Sequence, residues 1–175
     1  MKILVCISGA SGAGLGLKLH KELSKTDNEI FMVVSDSAKE VLKYEENSVS
    51  YPNNEIWAPP ASGSFGVEAT MVVPCSMNTL AKVACGISDN LITRAAAVAL
   101  KERKKILLAP REMPFSQIHL EQMSRLSSMG VIIAPPMLAY YGEQKTLEDA
   151  ENFLIGRWMD FIGVPNNLYK KWGSK

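Results

Sequence analysis

Cysteine is sparse: Cys6, Cys75 and Cys85 stand apart in 175 residues, with no C-x-x-C pair. An odd, scattered set argues against a disulfide framework and suits a reducing compartment, so a cytoplasmic location is expected. Histidine is scarcer still. His20 and His119 both fall on predicted helices and far from any metal-ligand spacing, so both read as structural or surface residues and no metal is expected. No stretch approaches the roughly 20 apolar residues of a membrane helix. The run Ile3–Ile7 behind Lys2 looks briefly like a signal peptide, but Ser8 and Gly9 end it too soon. Excess charge of one sign is also missing. With 19 basic and 18 acidic residues the net charge is +1, which gives no electrostatic reason to expect nucleic acid or acidic membrane as partner. Any anion site must come from local placement.

What is present suits one domain over residues 1–175, able to bury roughly 70% of its unfolded surface. Apolar runs alternate with helical patterns, the signature of parallel βαβ units. Strands are predicted at 3–7, 30–34, 69–73, 105–109 and 131–134. Helices follow at about 15–25, 37–44, 77–85, 91–103, 116–128 and 147–161. The stretch 47–67 is the richest in loop signals, with Pro52, Pro59, Pro60 and Ser62-Gly63-Ser64, and a short strand is expected near Ile56. Repeats, linkers and low-complexity segments are missing. The expected fold is α/β: an open parallel sheet with helices on both faces, a Rossmann-like or flavodoxin-like three-layer sandwich. Such folds bind ligands beyond the carboxyl ends of their strands.

The strand-ends carry the chemistry. Gly9-Ala10-Ser11-Gly12-Ala13-Gly14 precedes a helix, where bare backbone and a helix N-terminus make an anion cradle; a tight turn without ligand is the alternative. The spacing is not G-x-G-x-x-G, although Asp36 lies where a ribose-binding acid would fall. In Ser35-Asp36-Ser37, Ser37 reads as the N-cap, leaving Ser35 free to meet a ligand. Pro74-Cys75-Ser76-Met77-Asn78-Thr79 gathers hydroxyl and amide groups on a helix N-terminus, which suits a phosphate or a flavin edge, or plain capping by Ser76. Cys75 reads as a packed small hydrophobe, since no histidine partner is evident. Arg94 and Lys101 lie two turns apart on one helix, with Val98 between them and Ile92, Ala96 and Leu100 opposite; the pair is either a phosphate grip or a solvated face. Arg111-Glu112 follow the next strand, placed for chemistry or as a salt-bridged loop. In the last helix Leu147, Ala150, Leu154, Trp158 and Phe161 form an apolar stripe, and Arg157 at its edge needs an anionic partner.

Taken in order, these segments closely resemble the flavin prenyltransferase family, UbiX-type, over nearly the whole chain. The carriers are G-A-S-G-A at 9–13, A-S-G-S-F at 61–65 and the long P-C-S-M-N-T-L run that reaches G-I-S-D-N-L-I-T-R-A-A at 96. They continue with A-L-K-E-R at 99–103, P-R-E-M-P at 110–114, I-H-L-E at 118–121, G-V-I-I-A-P-P-M-L-A-Y-Y at 130–141 and G-R-W-M-D at 156–160. One departure is Ala97, where the family often has aspartate.

The resemblance implies an FMN site built from Gly9, Ala10, Ser11, Ser35, Ser76, Met77, Asn78, Thr79 and Arg111. It implies that Arg94, Lys101, Tyr141 and Arg157 hold dimethylallyl phosphate, with Trp172 as an aromatic near the C-terminus. Ser11, Glu45 and Glu112 match polar catalytic positions, and Glu45 is the better candidate for taking the proton released from flavin C6. The implied reaction joins a dimethylallyl group to N5 and C6 of reduced FMN without a metal. The implied assembly is a homododecamer with sites at subunit junctions, and the product would pass to a UbiD-type decarboxylase. Three rivals stand beside it. One is an FMN-dependent cysteine decarboxylase, which would want a histidine before residue 74 and finds only His20. Another is a non-catalytic FMN carrier or decarboxylase subunit. The third, a nicotinamide dehydrogenase, rests on the glycine turn and Asp36.

Overall fold

The computed structural model describes residues 1–42, 50–140 and 144–173. It divides into two compact units, Met1–Pro135 and Pro136–Lys175.

The first unit is a six-stranded parallel sheet: β1 (Lys2–Ile7), β2 (Glu29–Val34), β3 (Ser50–Pro52), β4 (Ala69–Cys75), β5 (Lys105–Pro110) and β6 (Ile132–Ile133). The order is β3-β2-β1-β4-β5-β6, so the chain winds outward in both directions from the β1/β4 pair. This is the doubly wound arrangement with a crevice where the order reverses. Central strands read as unbroken apolar runs because both faces are covered: KILVCI in β1 is buried from Ile3 to Ile7, and ATMVVPC in β4 is buried throughout.

The helices of this unit are α1 (Ala13–Leu23), α2 (Asp36–Leu42), α3 (Met77–Ala84), α4 (Leu91–Lys101) and α5 (Gln117–Ser128). Alternate strand residues point to opposite faces. On one face Leu4, Cys6, Val33, Val72 and Leu108 share a core with Leu80 and Val83 of α3, Leu91 and Ala95 of α4, and Leu126 of α5. On the other, α1 lies so close to the sheet that a Cβ on Gly16 would stand 2.2 Å from the Val73 carbonyl oxygen and 2.8 Å from Ile7 Cγ1. Only glycine permits that approach.

Three expectations are corrected in this unit. No strand forms at Ile56, which lies in a turn; β3 forms earlier, pairing Ser50, Tyr51 and Pro52 with Met32, Val33 and Val34. Strand β4 does not stop before Pro74. The ladder shifts register after Val72 and resumes with Cys75 opposite Pro110, and the Cys75 carbonyl accepts from Arg111 N at 3.1 Å. On α4, Val98 is not on an open face with Arg94 and Lys101 but 6% exposed, because small alanines let nearly the whole helix sink.

The second unit holds α6 (Leu147–Ile162), opened by a Thr146/Asp149 capping box and closed by Gly163 in the left-handed region. Its buried residues are Phe153, Leu154, Ile155, Gly156, Trp158, Met159 and Ile162, whereas Leu147 is 75% and Phe161 39% exposed. The expected stripe is therefore displaced. The tail after Gly163 is part of the cause: Tyr169 packs edge-on against Phe153 at 5.1 Å, and Asn166 Nδ2 donates to the Gly156 carbonyl at 3.0 Å.

Candidate functional site

The crevice where the strand order reverses is held together by one buried hydroxyl. Ser8, just past β1, donates from Oγ to the Pro74 carbonyl at 2.9 Å and accepts from Ser76 N at 2.7 Å. That bond fixes the loop after β4. Ser76 then caps α3, its Oγ accepting from Thr79 N at 3.2 Å and lying 2.9 Å from Thr79 Oγ1. Alongside, Asn90 and Thr93 form a capping box that opens α4, and Asn53 Oδ1 accepts from Ile92 N at 3.1 Å. Two helix N-termini, with their partial positive charge, thus begin at one place.

A cavity of about 310 Å³ opens there, lined by Ser8, Gly9, Ser35, Ser37, Asn53, Ser76, Asn78, Thr79, Lys82, Asn90 and Ile92. Gly9 is required bare: a Cβ would lie 2.5 Å from Ser37 Cβ. The walls are hydroxyls, amides and one ammonium, with Ile92 the lone apolar side chain among them. Such walls fit the phosphate and polyol end of a flavin nucleotide better than its ring.

Of the residues expected to bind FMN, Gly9, Ser35, Ser76, Asn78 and Thr79 come together on this cavity. Ala10 and Ser11 sit in the turn beside it, where Ala10 N donates to the Ser8 carbonyl at 2.8 Å. Met77 packs against the core instead, and Arg111 is exposed just beyond β5. Ser35 is not the free hydroxyl expected. It caps α2, accepting from Ala38 N at 3.2 Å, and Ser37 is the exposed serine on the cavity wall. The helix begins at Asp36, two residues earlier than a cap at Ser37 allows. Ser35 still lines the cavity.

Cys75 borders the site as a wholly buried free thiol. Burial pushes its thiol up to about 12, which keeps it neutral. Among the residues expected to hold a prenyl phosphate, Arg94 is exposed and donates from Nε to the Ala61 carbonyl at 3.2 Å, a partner in place of the acid missing at Ala97. Lys101 forms an ion pair with Glu102. Arg157, in the second unit, donates to Tyr169 Oη at 3.4 Å, and that hydroxyl donates to Asp160 at 2.5 Å. Burial works against Asp160's charge, but the Tyr169 and Lys171 hydrogen bonds prevail and hold its pKa down. Glu112 is exposed, its carboxylate accepting from Met113 N at 3.0 Å. Trp172 is 82% exposed. Glu45 and Tyr141 lie outside the described residues. His119 turns out to be a capping residue, Nδ1 accepting from Ser116 N at 3.2 Å. Sequence reasoning missed Ser8, Asn53, Lys82 and Asn90. For Lys82 a signal existed, since it follows Asn78 and Thr79 at helical spacing; Asn53 approaches through tertiary folding alone.

A doubly wound parallel sheet with a polar cavity and two helix N-termini at its switch point defines a phosphate-binding α/β protein of the nucleotide- or flavin-binding class. A family model described as Flavoprotein matches residues 1–158. The flavin prenyltransferase UbiX of Methanocaldococcus jannaschii is 44% identical, across 99% of this chain and all of its own. The crystal structure of AnUbiX in complex with FMN and dimethylallyl pyrophosphate superposes with a TM-score of 0.94 at 35% identity, covering 99% of this chain and 98% of that one. A dodecameric FMN-dependent Ubix-like decarboxylase from Escherichia coli O157:H7 gives 0.94 at 38% identity, covering 99% and 100%. The chain belongs to the Flavoprotein family and, within it, to the UbiX-type flavin prenyltransferases.

Proposed function

We infer that this chain is a flavin prenyltransferase that joins a dimethylallyl group from dimethylallyl phosphate to N5 and C6 of reduced FMN. The observation that carries it is the likeness over 99% of the chain to a solved protein holding both FMN and a dimethylallyl donor. Bound reduced flavin supplies the nucleophilic ring positions; the chain supplies placement and charge. Gly9, Ser35, Ser76, Asn78 and Thr79, with Ala10, Ser11, Met77 and Arg111 around them, hold the flavin nucleotide. Arg94, Lys101, Tyr141 and Arg157 hold the prenyl phosphate, and the three cations among them neutralise the departing phosphate, an electrostatic role that needs no metal. Trp172 offers an aromatic surface to the prenyl tail. Glu45 takes the proton from C6, with Ser11 and Glu112 as the other polar positions.

The Flavoprotein match crosses the boundary between the two compact units, which supports reading 1–175 as one flavoprotein domain. The dodecamer of the Escherichia coli neighbour supports a homododecamer here. A UbiD-type decarboxylase is the natural recipient of the prenylated flavin, and the cytoplasm the natural compartment. No helix among the described residues is long and apolar enough to cross a membrane. The experiment is anaerobic incubation with reduced FMN and either dimethylallyl phosphate or the pyrophosphate, followed by the flavin's absorbance spectrum. A prenylated-flavin spectrum with one donor supports the reading. An unchanged flavin spectrum with both supports a carrier instead.

A further inference from the structure

Lys82 is the one charged residue among the described residues that line the cavity at the β1/β4 crevice. It stands on α3 one turn beyond Asn78 and Thr79, so all three present to the same side of the helix. Its ammonium is not loose. It lies 2.5 Å from Asp89 Oδ2, and that carboxylate is itself fixed at the mouth of α4: its Oδ1 accepts from Asn90 Nδ2 at 3.0 Å and from Thr93 Oγ1 at 3.4 Å. The Lys82 side chain is 26% exposed and Asp89 48%.

A phosphate monoester carries a charge of about −1.5 to −2 at neutral pH. The remaining lining residues are uncharged, so hydroxyls, amides and helix N-termini are the only other compensation on the described walls. We propose that Lys82 is the determinant by which this chain selects FMN over uncharged riboflavin, its ammonium being shared between Asp89 and the flavin's phosphate once the nucleotide is bound. The inference rests on the flavin reading above and goes beyond it by naming a residue outside the family-implied site. Asp89 keeps the empty cavity's charge balanced and the ammonium at the wall. It also competes with the phosphate for it.

The test uses the full chain and measures dissociation constants for FMN and riboflavin by flavin fluorescence at low salt. Relative to the parent, Lys82→Gln should weaken FMN binding by about ten-fold or more while leaving riboflavin within about twofold, the scale of one charge-assisted contact. Lys82→Arg should keep FMN close to the parent value. Asp89→Asn removes the competitor without touching the lysine and should tighten FMN alone. Parent-like FMN binding by Lys82→Gln, an equal loss for both flavins, or weaker FMN binding by Asp89→Asn overturns the inference while leaving the flavin site standing. A parent chain that binds neither flavin overturns the flavin reading itself.

Discussion

Ser8 and Ser76, 68 residues apart, are joined by a 2.7 Å hydrogen bond from Ser76 N to Ser8 Oγ. Ser8 is 2% exposed and also donates to Pro74, so one hydroxyl locks the two central strand-ends together. Ser8→Ala leaves the Ser76 N–H without its acceptor and takes one of two donors from the Pro74 carbonyl, which keeps the backbone N–H of residue 8 at 3.3 Å, at a cost of about 1–3 kcal/mol. Urea unfolding should show that loss in the midpoint with an unchanged slope. A parent-like midpoint contradicts the role given to the hydroxyl.

Gly9 tests the cavity more locally. An alanine there meets Ser37 Cβ at 2.5 Å, so the turn or the start of α2 must shift. Overpacking of this kind costs roughly 1–3 kcal/mol, and FMN affinity should fall by about ten-fold or more. Equilibrium titration with FMN reads it directly; unchanged affinity would mean the flavin does not use this turn.

Lys101 and Arg157 are proposed above to hold the prenyl phosphate. Charge-assisted contacts are worth roughly 1.5–3 kcal/mol each, so Lys101→Ala or Arg157→Ala should slow prenyl transfer by about ten- to a hundredfold. FMN affinity should change far less. Single-turnover rates with reduced FMN and dimethylallyl phosphate separate the two effects, and parent-like rates in both variants remove the assignment.

The three thiols should react unequally. Cys6 and Cys75 are wholly buried and Cys85 is exposed. In the native protein at mildly alkaline pH, a chromogenic disulfide should titrate Cys85 alone, with the other two appearing on unfolding. Burial raises the Cys75 pKa from 9.0 to about 12. Its neutral thiol therefore favours the folded state fully below pH 9, and that contribution disappears as pH rises towards 12. Rapid native labelling of Cys75 contradicts this packing.

Much of this architecture was legible in the sequence. Long apolar runs such as 3–7 and 105–109 belong to strands covered on both faces, and Ser76 opens α3 as its cap. What stayed hidden depends on tertiary contact. Ser35 and Ser37 offer two chemically equal caps, and the folded chain uses Ser35, whose Oγ accepts from Ala38 N. The buried face of α6 is decided partly by Tyr169 folding back on Phe153, which helical periodicity cannot show. Asn53 reaches the cavity from a loop 37 residues before Asn90, through a bond to Ile92 N. The glycine turn and the Ser76–Thr79 cluster were visible because they sit at strand-ends, where a doubly wound sheet must place its ligand.

The central claim is chemical, and mass spectrometry of the flavin tests it most directly. The purified chain is incubated without oxygen with reduced FMN and dimethylallyl phosphate, denatured, and the released flavin weighed. The account predicts FMN heavier by one five-carbon prenyl unit, with inorganic phosphate released in equal amount. Unmodified FMN recovered in full, from protein shown to have bound both compounds, contradicts it.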